Sequence, residues 1–157
     1  MANVKTNAMR ILDGMKIEYN TYTYSKDDDK IDGISVAEKL GKDPKYVYKT
    51  LVAEGHSKEI FVFVIPVAEE LDLKKAAKAA TEKNIHMIHV KDILKTTGYI
   101  RGGCSPIGMK KKYKTFIDSS ASQIDKIVIS GGKIGIQMEL AVDDLLNSAD
   151  AKIDDLI

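Results

Sequence analysis

Apolar residues recur at helical spacing at Val4, Ala8, Ile11, Leu12 and Met15, which predicts an amphipathic helix over residues 3–14 closed by Gly14. "IEYNTYTY" (17–24) is rich in β-branched and aromatic residues and predicts a strand. "SKDDDKIDG" (25–33) has no apolar rhythm and predicts an exposed loop. Ser35 and Glu38 stand at capping-box spacing before a short helix that Gly41 stops, and Pro44 suits the first turn of another. "YVYKTLVAE" (46–54) and "EIFVFVIPV" (59–67), separated by "GHSK", predict a β-hairpin.

The clearest helix is "DLKKAAKAATEK" (72–83), where Leu73, Ala76, Ala77 and Ala80 form a narrow apolar stripe among lysines. A short strand is expected at 85–90 and a helical turn at 91–96, ended by Gly98. Further strands are expected in "KTFIDSS", "KIVISG" and "IGIQMEL", and a last helix at 142–148. Helices punctuate many short strands without the regular alternation of a doubly wound sheet. The expected class is α+β: a mixed, strongly curved sheet approaching a barrel, with flanking short helices.

Length changes this picture little: 157 residues suit one domain, 1–157, with a real core. A formal net charge of +1 provides no global field toward nucleic acid or membrane, so any nucleic-acid contact must come from a local patch. No apolar run approaches the length of a membrane span, and "MANVKTNAMRILDGMK" lacks the apolar core of a secretory signal. One cysteine, Cys104, permits no intrachain disulfide. A cytoplasmic protein is expected.

The densest candidate chemistry is "TGYIRGGCSPIGMKKKYK" (97–114). Paired glycines permit close backbone approach, and Lys110, Lys111, Lys112 and Lys114 around Tyr113 supply positive potential. Such a run is either a solvated loop or a phosphate contact. A second pair occurs in "SGGKIG" (130–135), which lacks the spacing of a dinucleotide fingerprint or a P-loop and by itself reads as a hairpin turn. Two such pairs can line one pocket with free backbone N–H groups, near the hydroxyls of Ser105 and Ser130. Lys49, inside an apolar strand, either reaches water at the strand end or occupies a pocket, where it can donate to a phosphate, ribose or oxyanion. Cys104 has no evident base partner and reads as a small pocket-lining or core residue. His56, His86 and His89 are too scattered for a metal site, so no metal is expected.

Taken together, "AEKLG" (37–41), "YKTLV" (48–52), "LDLKKAAKA" (71–79), "TGYIRGGCSPIGMKK" (97–111) and "SGGKIGIQMEL" (130–140) resemble, nearly end to end, the YbaK-type aminoacyl-tRNA deacylases. That family is related to the editing domain of bacterial prolyl-tRNA synthetases. The "GGxSPxGxKK" form is more similar to the cysteinyl-tRNA(Pro) deacylase branch than to the alanine-specific one.

The resemblance implies that Lys49 is the essential lysine and that Tyr24 is a pocket tyrosine, with Thr50 beside the lysine. It further implies that Gly102 and Gly103 approach the substrate carbonyl, and that Ser130 and Gly132 belong to a second glycine loop. Ser105 and Gln137 complete the expected substrate contacts, and Lys110, Lys111 and Lys112 the expected tRNA phosphate contacts. Two departures concern the pocket: "KIDG" (30–33) stands where an aromatic residue is usual, and Gln137 and Arg101 stand where relatives often carry Asp and a hydrophobic residue.

The implied reaction is hydrolysis of the ester at the 3′ end of mischarged tRNA, most plausibly cysteinyl-tRNA(Pro), assisted by the substrate's own thiol and needing no cofactor. The implied partners are the tRNA acceptor end and prolyl-tRNA synthetase, with neither membrane nor DNA. Alternatives are a deacylase for alanyl- or seryl-tRNA, a non-catalytic RNA- or nucleotide-binding module, or a structural domain whose glycines only make turns.

Overall fold

The structure is a computed structural model and describes residues 5–157. The first helix, α1, spans Asn7–Gly14, and Thr6 caps it by accepting from the Met9 amide; Val4 of the expected stripe lies outside the described residues. β1 follows at Asn20–Thr23, shorter than the apolar-aromatic run suggested. Helix α2 (Gly33–Leu40) corrects the capping expectation. Its N-cap is Asp32, whose carboxylate accepts from the Ser35 amide at 3.2 Å and the Ser35 hydroxyl at 2.7 Å. Ser35 therefore serves the cap from inside the first turn, and a carboxylate satisfies more orphan donors there than a hydroxyl can.

Strands β2 (Tyr48–Gly55) and β3 (Ile60–Pro66) form the expected antiparallel hairpin, closed by Gly55 N–H donating to Glu59 O at 2.9 Å. Helix α3 (Leu73–Ala80) is capped by Asp72 and buries Ala76, Ala77 and Ala80, but Leu73 is 43 % exposed and leaves the stripe. β4 covers only Ile85–Met87, because the chain then turns through a 3-10 segment, Val90–Asp92, into α4 (Ile93–Thr97). Then come β5 (Lys114–Asp118), β6 (Lys126–Lys133), β7 (Ile136–Ala141), α5 (Val142–Ser148) and β8 (Ala151–Asp154). No expectation covered β8: four residues alternating with Lys152 and Asp154 become a strand by pairing in parallel with β5.

The single curved sheet expected from sequence is corrected to two sheets that do not close into a barrel. One is antiparallel, in the order β1-β7-β6; the other is mixed, in the order β4-β2-β3-β5-β8. They join at one parallel bridge, Val47 to Val128. β4 pairs with β2 only at Ala53–Gly55, so the β2 edge facing β6 is unpaired through residues 48–51. Closure fails along that stretch, and a cavity opens there.

The larger sheet is buried on both sides. Phe61, Phe63 and Ile65 of β3 pack with Ala76, Ala77 and Ala80 of α3, while Val64 joins Leu12, Ile127, Ile129, Met138 and Leu145 on the other face. Two-sided burial explains why "IFVFVIPV" is unbroken by polar residues. Phe63 and Phe116 stack on neighbouring strands, with ring centroids 5.6 Å apart.

Candidate active site

The opening between β2 and β6 is a cavity of about 610 Å³, within the range of small-ligand sites. Its walls include Lys49, Thr50 and Leu51 of β2, Ser130 of β6 and Gln137 of β7. Gly102, Arg101 and Cys104 line it from the first glycine loop. The bridge at Val47 and Val128 explains this convergence. Two residues further along each strand, the same parallel register brings Lys49 toward Ser130, and Ser130 is itself the cross-strand partner of Gln137.

Lys49 is thus a strand lysine facing a cavity, and among the described residues no carboxylate forms an ion pair with it. Lys42 differs: its ammonium is engaged by Glu139 at 3.2 Å and Tyr22 at 3.3 Å. The Thr50 hydroxyl is buried without a hydrogen-bond partner among the described residues. Gln137 is 7 % exposed. A buried hydroxyl left unpaired costs about 1–3 kcal/mol.

The two glycine segments do meet, through backbone rather than through the cavity. Gly103 lies outside the lining; a Cβ there would fall 2.9 Å from Ile134 N and 3.0 Å from Lys133 C, so only glycine lets the loops touch. Its amide is committed to Ile100 O at 3.0 Å, closing a turn in which Gly102 has φ +88°. The Gly102 N–H, by contrast, has no backbone acceptor among the described residues.

The second pair is a bulge in β6 rather than a hairpin turn: the register shifts between Ser130 and Lys133, and the turn itself is Ile134–Gly135. Gly131 O accepts from the Thr6 hydroxyl at 2.6 Å. Gly132, at φ +99°, is pressed against Thr6 and Tyr99, away from the cavity. Ser130 Oγ accepts from the Gly132 amide at 3.2 Å, which fixes the bulge.

Other expected contacts lie apart from the cavity. Ser105 is fully buried and its hydroxyl accepts from Ile107 N–H at 3.3 Å. Tyr24 does not line the cavity; its hydroxyl is buried and unpartnered among the described residues. Lys110, Lys111 and Lys112 are exposed outside it, Lys110 donating to Lys95 O at 3.1 Å.

Burial pushes the Cys104 thiol up to about 11, with a hydrogen bond from Thr97 acting in the opposite direction. It is protonated at neutral pH and unsuited to nucleophilic attack. Its neighbour Tyr99 is raised to about 12, first by burial and then by Cys104, and donates to Ile107 O at 2.6 Å. No cluster of metal-ligating side chains occurs among the described residues.

Sequence reasoning missed the apolar side of the cavity: Ile31, Gly33, Val67, Met87, Val90 and Ile93. Gly33 admits α2, since a Cβ there would lie 2.4 Å from Val67 Cγ1. Lys39 secures the preceding loop, donating to Ser25 O at 2.6 Å, Asp28 at 2.7 Å and Lys30 O at 2.9 Å. A larger cavity of about 860 Å³ lies beside α1 and β1; in its wall Lys5 and Asp13 are paired at 2.7 Å, whereas Lys126 and Lys133 form no ion pair among the described residues. The smaller cavity is the one that brings a strand lysine, Lys49, together with the Gly102 loop and Ser130.

Comparison with known proteins bears on the family and the fold. Residues 32–147 match the model of a family described as "Aminoacyl-tRNA editing domain". The chain is 48 % identical over 143 residues, 91 % of its length and 87 % of the relative's, to "Putative Cys-tRNA(Pro)/Cys-tRNA(Cys) deacylase EbsC" of Enterococcus faecalis. Its fold is similar to that of "hypothetical protein APE2540", with TM-score 0.86, 17 % identity and coverage of 96 % and 98 % of the two chains. It is also similar to that of "a putative trans-editing enzyme for prolyl tRNA synthetase", with TM-score 0.80, 18 % identity and 98 % of each chain covered. On this extent of sequence and fold, the chain belongs to the aminoacyl-tRNA editing domain family.

Proposed function

We propose that this protein is a single-domain, cytoplasmic trans-editing hydrolase that removes cysteine from mischarged tRNA(Pro) in the cavity between β2 and β6. The observation that carries this reading is the Lys49 ammonium, unpaired among the described residues, facing the same cavity as the Gly102 loop. An aminoacyl ester is already activated, so positioning and charge stabilisation are the main demands on the protein.

In this reading the Lys49 ammonium holds the 3′-terminal phosphate or ribose. The Gly102 N–H donates to the ester carbonyl and to the oxyanion that forms from it. Thr50, Ser130 and Gln137 supply hydroxyl and amide contacts to the ribose and the amino acid, and Gly103 keeps the two loops in register.

Cys104 is not the nucleophile, because its thiol stays protonated. The substrate's own sulfur attacks the carbonyl carbon instead, the carbon–oxygen bond to ribose breaks, and the ribose oxygen takes up a proton. The products are tRNA and a four-membered thiolactone that water opens to cysteine. A synthetase site for proline cannot exclude a similarly sized side chain by apolar fit alone, and a second site supplies that discrimination. Prolyl-tRNA synthetase is the partner that brings tRNA selectivity, since this chain carries little net charge of its own.

Purified protein should release cysteine or its thiolactone from cysteinyl-tRNA(Pro) and leave seryl- and alanyl-tRNA almost untouched. Addition of the synthetase should sharpen selectivity for tRNA(Pro). Equal hydrolysis of the cysteinyl and seryl esters would rule out the thiol-assisted route.

A further inference from the structure

Among the described residues eight large apolar side chains are exposed, and four of them, Met87, Val90, Leu94 and Ile100, fall in one stretch. Val90 and Leu94 are each 55 % exposed and Ile100 is 51 % exposed. Met87, Val90 and Ile93 also line the cavity, so this apolar strip continues from its wall to the outer surface. The lysine run is tied to the same place. Lys110 N–H donates to Thr97 O at 2.9 Å, Lys110 Nζ to Lys95 O at 3.1 Å, and the Tyr113 hydroxyl to Thr96 O at 2.6 Å. Lysines and apolar strip therefore share the α4 corner.

Charge is concentrated there. Residues 87–114 contain seven Lys or Arg and one Asp, a formal +6, and because the whole chain is +1 the remaining residues total −5. Asp92 is paired with Lys95 at 3.0 Å and Lys114 with Glu59 at 3.7 Å, so five of the seven cations form no ion pair among the described residues. Exposed apolar side chains and cations on one corner beside a cavity match single-stranded nucleic acid, whose base faces need apolar contact and whose phosphates need cations. A regular duplex hides its base faces and matches only the lysines.

We propose that Val90, Leu94 and Ile100, flanked by Lys91, Lys95 and Lys110, form a ledge on which the unpaired 3′ terminus of tRNA lies as its last nucleotide enters the cavity. The inference rests on the deacylase reading for the identity of the RNA, but not for the surface itself.

The test uses two paired variants of the full chain, Leu94→Ser with Ile100→Ser, and Lys91→Ala with Lys95→Ala. The first probe is a labelled single-stranded RNA ending in CCA, compared with the same strand in a blunt duplex. The apolar pair should weaken single-strand binding about tenfold, in line with the loss of one base contact. The lysine pair should reduce the logarithmic salt slope by ~1.4, at ~0.7 per phosphate contact. Wild type should prefer the single strand.

With aminoacylated tRNA, both pairs should raise KM about tenfold at similar kcat. The aminoacyl ester of adenosine alone, too short to reach the ledge, should be hydrolysed within about twofold of the wild-type rate. If wild type hydrolyses neither ester yet the variants still lose single-strand binding, the deacylase reading falls and the ledge stands. Unchanged RNA binding in both variants, a wild-type preference for duplex, or a loss confined to binding of prolyl-tRNA synthetase would each overturn the ledge.

Discussion

Cys104 is the side chain in this cavity most easily mistaken for a nucleophile. Burial holds its thiol near 11, so alkylation by iodoacetamide should be slow at pH 7.5 and rise with a midpoint near that value. A midpoint near the ordinary thiol value, together with loss of hydrolysis in Cys104→Ala, would return it to the mechanism. Gly103 makes the opposite kind of contribution, through what it lacks. Gly103→Ala places a Cβ against the Lys133–Ile134 backbone, which cannot yield as a flexible side chain would. A loss of about 1–3 kcal/mol in urea unfolding is expected, the size typical of overpacking. Unaltered stability and hydrolysis in that variant would show that the two loops need not touch. The strand pattern alone left Lys49 either in water at a strand end or in a pocket, and it was the family resemblance that singled it out. The division of labour within Gly102–Gly103 was not legible in the sequence, since amide partners and a 2.9 Å approach to Ile134 depend on a loop thirty residues away.

Helix α2 illustrates how an element can be found with its start misassigned. Ser35 carries the spacing of a cap, yet Asp32 is the residue that accepts both Ser35 donors, and those hydrogen bonds hold its carboxyl below the ordinary carboxylate value. The folded-state pKa is therefore the lower one. The cap contributes fully above the unfolded carboxyl's pKa of about 4, and that contribution is lost as pH falls through the depressed value. Asp32→Ala should cost about 1 kcal/mol at pH 7, and the gap to wild type should narrow in acid. A gap that widens on acidification would contradict the assignment. The hairpin and α3 were readable from periodicity because local pattern and packing agree there. β8 was not readable, because its strand character comes from β5 rather than from its own four residues.

The two sheets explain why there is a site at all. A fully zipped β2–β6 seam would have filled the space that Lys49, Ser130 and Gln137 now share, and the single bridge at Val47 and Val128 leaves it open. Periodicity along the chain reports strands but not which edges stay unpaired, so an almost closed barrel was the natural expectation and an open seam the finding. The five sequence segments that carried the family resemblance come together differently from one another: "YKTLV" and part of "SGGKIGIQMEL" line the cavity, whereas "LDLKKAAKA" packs behind β3 as core. Among the described residues no helix is long and apolar enough to cross a membrane. The most direct measurement is single-turnover hydrolysis of cysteinyl-tRNA(Pro) by wild type and by Lys49→Ala. The variant should lose on the order of 10²-fold in rate, the usual scale for removing a charge-stabilising donor, with its thermal unfolding unchanged. A variant that cleaves the ester at the wild-type rate would contradict the account.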